Sequence, residues 1–392
     1  MTASRPVASA PAPRHRSGTV WRAAALAVAF AATHAWMIYL SRGPGLAGST
    51  DVSLYAWWVQ QAQVMGGWVG IQADWVYPVG ALAPIAAAAA FGTHGDYLPT
   101  WCYMVTLLNL ATALVAVRVV SLRRAFWPLI GWFAFLALLG PVGFTRLDAV
   151  MMPLVLTALL VAGTRPALAS VLVTLSAWIK VAGGAVIIPL FCAARTARDR
   201  WLRVALPAAL TCVAVIGWQR LAGGGWSQLT SFVRAEAERG LQIEAVLAMP
   251  AVLGHVFKGE ATWQYNDALG TSETWGAAAD AALRVSDFAM PAVAVVVGVL
   301  VWLARHEPAD ALLEGSFAIM TGLIVFHKVG SPQFVAWTAP AVVAALCLRR
   351  QVWFWTVIGV LLLSASALTG WLYPWGYFEF LDGAPLGIAV WV

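Results

Sequence analysis

The chain has 392 residues, of which 61% are hydrophobic and only 11% charged, with a mean hydropathy of +0.77. A soluble domain carries roughly 25% charged residues, so the composition excludes a water-soluble fold and argues for an integral membrane protein. The net charge of +6 does not point to nucleic acid, because the arginines gather at the ends of apolar runs. Arg195, Arg198, Arg200 and Arg203 form one such group and Arg349 with Arg350 another, which is the positive-inside pattern.

Residues 1–19, rich in Pro, Ala, Ser and Arg, read as a disordered cytoplasmic arm, and 20–392 as one transmembrane domain. A helix crosses ~30 Å of hydrocarbon with about 20 apolar residues. The apolar runs predict about 11 spans, over 20–41, 77–93, 99–120, 125–144, 149–163, 166–194, 201–221, 286–304, 314–329, 332–348 and 352–370. They show no strand alternation, so the expected fold is an all-α membrane bundle. The first run is too long for a signal peptide and lacks a small-residue cleavage site, which makes it an uncleaved helix. Arg5, Arg14, Arg16, Arg22 and Arg42 precede the first acid, Asp51. That asymmetry puts the N-terminus in the cytoplasm and Asp51 on the other side.

Residues 42–76 form a first outer loop. Within it Leu54, Trp57, Trp58, Gln61, Met65 and Trp68 recur at helical spacing, which predicts a helix lying in the membrane interface. Two arrangements fit the stretch 77–194. In one, 77–93 crosses and 166–194 is a single helix, leaving Arg118, Arg123 and Arg124 outside. In the other, 77–93 is re-entrant and 166–194 folds as two short helices about Lys180, which brings those arginines inside. A second outer loop, 222–285, is biased towards acids. Cys102, Cys192, Cys212 and Cys347 lie in apolar runs without metal spacing and read as packing residues.

Several groups carry chemistry. Asp51 follows Ser49 and Thr50 and is either a helix cap or a functional carboxylate. Lys180 stands alone in a long apolar stretch; it either snorkels to an interface or faces an anionic partner, for which phosphate is the obvious candidate. Arg239-Gly-Leu-Gln242-Ile-Glu244 follows a polar helix. His327-Lys328-Val-Gly-Ser331-Pro-Gln333 is a polar break between two apolar spans. Arg146 and Asp148, two residues apart, suit a structural ion pair. Of the 22 tryptophans, Trp57, Trp58, Trp75, Trp263, Trp275 and Trp337 suit sugar-stacking or lipid-facing walls.

Taken in order, these motifs resemble glycosyltransferase family 87, the polyprenyl-phosphate-mannose-dependent α-mannosyltransferases. The resemblance rests on Asp51 with Tyr55, Tyr77-Pro78, Lys180, Arg239 to Glu244, Ser331-Pro-Gln333-Phe with Trp337, and Leu368 to Pro374. Val79 departs from the family's usual second proline. The resemblance implies a GT-C type bundle in the cell membrane with its active site on the extracytoplasmic side. It implies Asp51 as general base, with Lys180, Arg239, His327 and Lys328 at the donor phosphate. Tyr55, Tyr77, Gln242, Glu244, Ser331, Gln333 and Trp337 would contact substrate. The implied partners are a polyprenyl-phosphate sugar donor, a glycolipid acceptor and membrane lipids. No cofactor or metal is expected, since Asp51 has no neighbouring acid at ligand spacing. A pentose-transferring relative and a lipid-linked-sugar transporter stay open as other readings. The lack of an internal repeat disfavours the transporter.

Overall fold

The computed structural model describes residues 16–42, 51–92, 97–259, 262–266, 270–349 and 352–391. Most of the arm expected over 1–19 lies outside them. The helix α1 (Arg16–Ser41) begins at residue 16, four residues before that boundary. It is followed by α2 (Asp51–Met65), α3 (Leu82–Ala90), α4 (Tyr97–Val120) and α5 (Leu122–Leu139). Next come α6 (Asp148–Val161), α7 (Pro166–Ile179), α8 (Ile187–Cys192) and α9 (Leu206–Leu221). The second loop holds α10 (Trp226–Ala237), β1 (Leu241–Gln242), α11 (Met249–Lys258), β2 (Thr262–Asn266) and β3 (Thr271–Trp275). The chain ends with α12 (Ala277–Leu303), α13 (Pro308–Phe326), α14 (Ala339–Leu348), α15 (Trp353–Trp371), α16 (Tyr377–Leu381) and α17 (Pro385–Trp391).

This is an all-α membrane bundle, with seven helices among the described residues long and apolar enough to cross. Four of the 11 expected spans are shorter pieces. Residues 77–93 yield only Val79–Ala90, and 149–163 yields the 14 residues of α6. At 1.5 Å per residue α6 is about 21 Å long, too short for lipid, and it is buried on nearly all sides. An interior helix needs no lipid-matched length, which is why hydropathy alone overcounts. Segment 166–194 splits at Lys180, whose backbone is extended (φ −148°, ψ 122°), and 332–348 opens as a 3₁₀ turn over Pro332–Thr338. Proline restricts the residue before it to extended geometry, so Ser331 ends any helix running into Pro332.

Contacts sort the loops to two ends. Trp21 meets Phe126 near the starts of α1 and α5, whereas His34 meets Phe144 near their far ends. Arg124 donates to the Leu348 carbonyl (3.1 Å), Arg349 pairs with Asp310 in the first turn of α13, and Arg200 lies over Trp302 at the end of α12. One end therefore collects the arginines that follow α4, α8, α12 and α14, together with the start of α1. The other end holds Asp51, the 222–276 region and Tyr373. Residues Val79–Ala90 stay at this second end, where the Tyr97 hydroxyl at the start of α4 donates to the Ile85 carbonyl (3.0 Å). The Val79–Ala81 turn lies against Trp178, and α4 starts beside Phe144, to whose carbonyl Trp101 donates (3.0 Å). Chain 166–194 is a hairpin about Lys180. Of the two arrangements compatible with the sequence, the one with a re-entrant 77–93 and a split 166–194 is the one observed.

The helix expected within 42–76 forms as α2, but only part of its expected stripe is outward: Leu54, Trp57 and Met65 are exposed, whereas Trp58 is buried with Tyr55, Val59 and Ala62 against the protein and Trp68 lies beyond the helix. The second loop is not a plain polar connection. A three-stranded antiparallel sheet of order β1-β3-β2 pairs Gln242 with Glu273 and Trp263 with Thr274. Because the Gln242 N–H donates to the Lys328 carbonyl (3.0 Å), this sheet is tied to the break between α13 and α14.

Candidate active site

The polar breaks converge at one end of the bundle, around two ion pairs. Asp51 opens α2, where the positive end of the helix dipole favours a carboxylate. Its Oδ1 is bound by Arg146 Nη1, and Arg146 Nη2 donates to the Tyr373 hydroxyl at 3.2 Å. Among the described residues, Asp51 Oδ2 has a long 3.5 Å contact with the Tyr55 hydroxyl. Tyr55 is fully buried, and its oxygen also accepts the Leu147 N–H (3.1 Å). Tyr55 thus links α2 to the turn carrying Arg146 instead of reaching solvent as a substrate contact. Burial, and then the Asp51 charge, push the Tyr55 hydroxyl well above its usual range.

The second pair joins Lys180 Nζ to Asp148 Oδ2 at 3.0 Å. Asp148 is completely buried, and its Oδ1 accepts from Trp337 Nε1 at 2.6 Å. The Lys180 ammonium also lies 5.0 Å from the Phe334 ring, which stacks on Trp337 at 3.9 Å. So the anionic partner of Lys180 is a protein carboxylate. This also corrects the expected Arg146–Asp148 pair: the two diverge to Asp51 and Lys180. The reason is geometric, since α6 starts at Asp148 and turns that side chain inward while Arg146 sits outside the helix. Trp337, expected to stack on sugar, is 3% exposed with one face on Phe334 and its N–H on Asp148. It holds Asp148. Trp58 and Trp75 are likewise buried, whereas Trp57 and Trp275 are exposed.

The remaining groups border these pairs. Tyr77 is half-buried against Trp75 (5.6 Å between ring centroids), and burial followed by the Asp51 charge raises its hydroxyl above the usual range. Arg239 faces Glu236 at 3.9 Å, and Glu236 in turn lies 3.6 Å from His327 Nε2. Burial lowers the His327 pKa more than Glu236 raises it, so the ring is neutral near pH 7 and serves as a hydrogen-bonding group, not a fixed cation. Lys328 Nζ donates to the Ala237 carbonyl (2.9 Å). Glu244 accepts from the Tyr377 hydroxyl through Oε1, while its Oε2 is buried without a protein partner. Burial lifts its carboxyl to about 7. A cavity of about 180 Å³ lies between Glu244, Ser331, Phe334, Thr338 and Ile324. Gln242 and Gln333 are almost wholly buried, and each leaves a side-chain polar atom unpaired, Nε2 and Oε1 respectively. Their burial follows from β1 and the 3₁₀ turn folding inward, so they stand behind the cavity instead of lining it.

Asp51, Lys180, Arg239, Glu244, His327, Lys328 and Ser331 are therefore gathered at one end, as the sequence suggests. Asp148 and Tyr377 are additions. A lone acid and a lone lysine in apolar surroundings must find each other, so Asp148 had a signal; Tyr377 had none, because its place depends on how the C-terminal helices dock. Among the described residues no three His, Cys, Asp or Glu side chains come together as a metal-ligand group. A family model described as glycosyltransferase family 87 matches residues 75–332, two thirds of the chain. No curated protein and no solved structure matches it.

Proposed function

The chain belongs to glycosyltransferase family 87, and on that premise we propose that this membrane glycosyltransferase moves a mannosyl residue from a polyprenyl-phosphate donor to a glycolipid or lipoglycan hydroxyl. The bundle is of the GT-C type, and the end carrying Asp51 faces the cell exterior. The arginine-bearing end, with the N-terminus, faces the cytoplasm in the manner of the positive-inside rule.

The observation that carries this reading is the state of the Asp51 carboxylate. Arg146 holds Oδ1, and Oδ2 keeps lone-pair capacity towards the site. In the proposed step, Asp51 Oδ2 accepts the proton of the acceptor hydroxyl as that oxygen bonds to the anomeric carbon. The bond from that carbon to the phosphate oxygen breaks on the opposite face, and polyprenyl phosphate leaves with the electron pair. One displacement inverts the centre, so a β-linked donor gives an α-mannoside, α-1,2 in the family's best-known activity. Arg239, Lys328 and the Lys180 ammonium, oriented by Asp148, would serve as donors to the departing phosphate, where preorganised donors lower the barrier most. Glu244 and Ser331, at the cavity, would hydrogen-bond sugar hydroxyls, and Tyr77 would pack beside them.

Membranes carrying the chain or Asp51→Asn at equal expression, given labelled polyprenyl-phosphate-mannose and a glycolipid mixture, test the reading. Label should enter glycolipid with the unaltered chain and not with the variant. Transfer by the variant would remove Asp51 as base. Transfer from a pentose donor alone would change the sugar, and movement of the donor across the membrane without covalent transfer would replace the enzyme by a transporter.

A further inference from the structure

The opposite end of the bundle carries a group of side chains with no part in the chemistry above. Arg200 lies in a π-helical turn over Asp199–Ala205, a widened backbone geometry often found where a helix serves a site. Its guanidinium carbon stands 4.1 Å from the ring centre of Trp302, at the end of α12. Arg305, three residues on, stands 4.5 Å from the same ring. Two cations thus share one indole.

Neither is neutralised by protein. Among the described residues no carboxylate lies within ion-pair distance of Arg200 or Arg305. Asp199 is engaged by Thr196 and Arg203 and Asp310 by Arg349, and Glu307, two residues beyond Arg305, makes no ion pair with it. Arg200 Nε is buried without an acceptor, and a charged donor left so is costly. Cation–π contact offsets part of that, about 0.5–1 kcal/mol for each exposed pair, and Arg305 Nη1 also donates to the Trp302 carbonyl. Trp201 and Leu202, beside Arg200, are exposed apolar side chains at the same level. Planar guanidiniums match the oxygens of a phosphate, and basic pockets between membrane helices favour anionic headgroups.

We propose that Arg200, Trp302 and Arg305 form a binding site for the phosphate of an anionic phospholipid at the arginine-bearing end, a full span away from Asp51. The phosphate accepts from the Nη groups of the two guanidiniums, and the acyl chains run along Trp201 and Leu202. The assignment is independent of the transferase chemistry.

The test is native mass spectrometry of the full chain in detergent, titrated with dioleoyl-phosphatidylglycerol or dioleoyl-phosphatidylcholine. The unaltered chain should bind phosphatidylglycerol more tightly. In R200Q/R305Q that lipid should bind more weakly by roughly fivefold per arginine lost, with phosphatidylcholine unchanged. R195Q/R198Q, which removes two exposed arginines at the same end, should keep the preference. Equal loss in R195Q/R198Q would make it a diffuse basic field and overturn the site. Displacement of phosphatidylglycerol by equimolar inorganic phosphate would assign the site to a free anion and overturn the lipid. Should R200Q/R305Q not fold, R200K/R305K keeps both charges but loses the planar forks; a fall in phosphatidylglycerol binding supports the proposal, and full retention overturns it.

Discussion

Arg146 and Asp148, two residues apart in one turn, do not pair with each other. Arg146 binds Asp51 on α2, and Asp148 binds Lys180 between α7 and the 3₁₀ turn that follows. One short segment thus ties two elements together through opposite charges.

Arg146→Ala leaves Asp51 half-buried and unpaired. Removing one member of a buried pair costs about 3–5 kcal/mol, so this variant should unfold at lower temperature in detergent and lose transfer. Arg146→Lys retains the charge but not the two-pronged reach to Asp51 and Tyr373. It should recover most of the thermal stability and little of the turnover. Full turnover in the lysine variant would show that charge alone positions Asp51.

Asp148→Asn frees Lys180 from its partner. If Asp148 acts by holding the ammonium, the double variant Asp148→Asn/Lys180→Met should be more stable than Asp148→Asn alone, since it removes the unpaired cation with its partner. Turnover should be depressed in both. A double variant whose losses simply add would mean that the two residues are not energetically coupled.

Glu244 supplies the pH dependence. Its carboxyl titrates near 7 in the folded chain against 4.5 for a free glutamate. Between those values the native state keeps a proton that the unfolded chain has lost. Stability therefore falls as pH rises from about 4.5 to about 7 and then levels, with a total on the order of 3 kcal/mol. Glu244→Gln, compared with the unaltered chain in melts from pH 5 to 8, should flatten that slope and be relatively more stable at pH 8. Parallel curves would place the burial of Glu244 in doubt.

Gly330 is a packing requirement. A Cβ there would collide with the backbone of Glu244 and Ala245, which cannot move as a flexible side chain can. Gly330→Ala should therefore cost about 1–3 kcal/mol and lower the melting temperature. Gly131→Ala, inside α5 where a Cβ meets nothing within 4 Å, is the control and should melt no lower than the parent, since alanine favours a helix over glycine by about 1 kcal/mol.

Transfer should withstand EDTA. The expectation rests on the fixed cations available to a departing phosphate, Arg239 and Lys328 foremost. Activity lost in EDTA and restored by Mn²⁺ or Mg²⁺ would reassign that charge to a metal.

Part of the site was legible because membrane chemistry makes charge conspicuous. Lys180 stands out in an apolar run, and the chain breaks there; Gly330-Ser331-Pro332 announces a second break, and α13 ends just before it. The helical spacing of Leu54, Trp57, Trp58, Gln61 and Met65 predicted the helix α2, but not that Trp58 would turn inward, because packing against Trp75 and Tyr77 is not visible along the chain. The role of Trp337 was not legible, because an indole facing lipid, sugar or a buried carboxylate looks the same along the chain.

The amino-acid sequence alone specifies a helical membrane bundle with a cluster of arginines at the end opposite Asp51. In hydrocarbon each segment must satisfy its own backbone, and each charge must reach an edge or a partner, so composition and order already dictate that much. Only the tertiary structure decided who the partners are. Asp51 and Arg146 lie 95 residues apart, and Lys180 and Asp148 lie 32 apart. Ion pairing acts over a few ångströms of space, and the register that brings those atoms together is set by helix packing, which no spacing along the chain records.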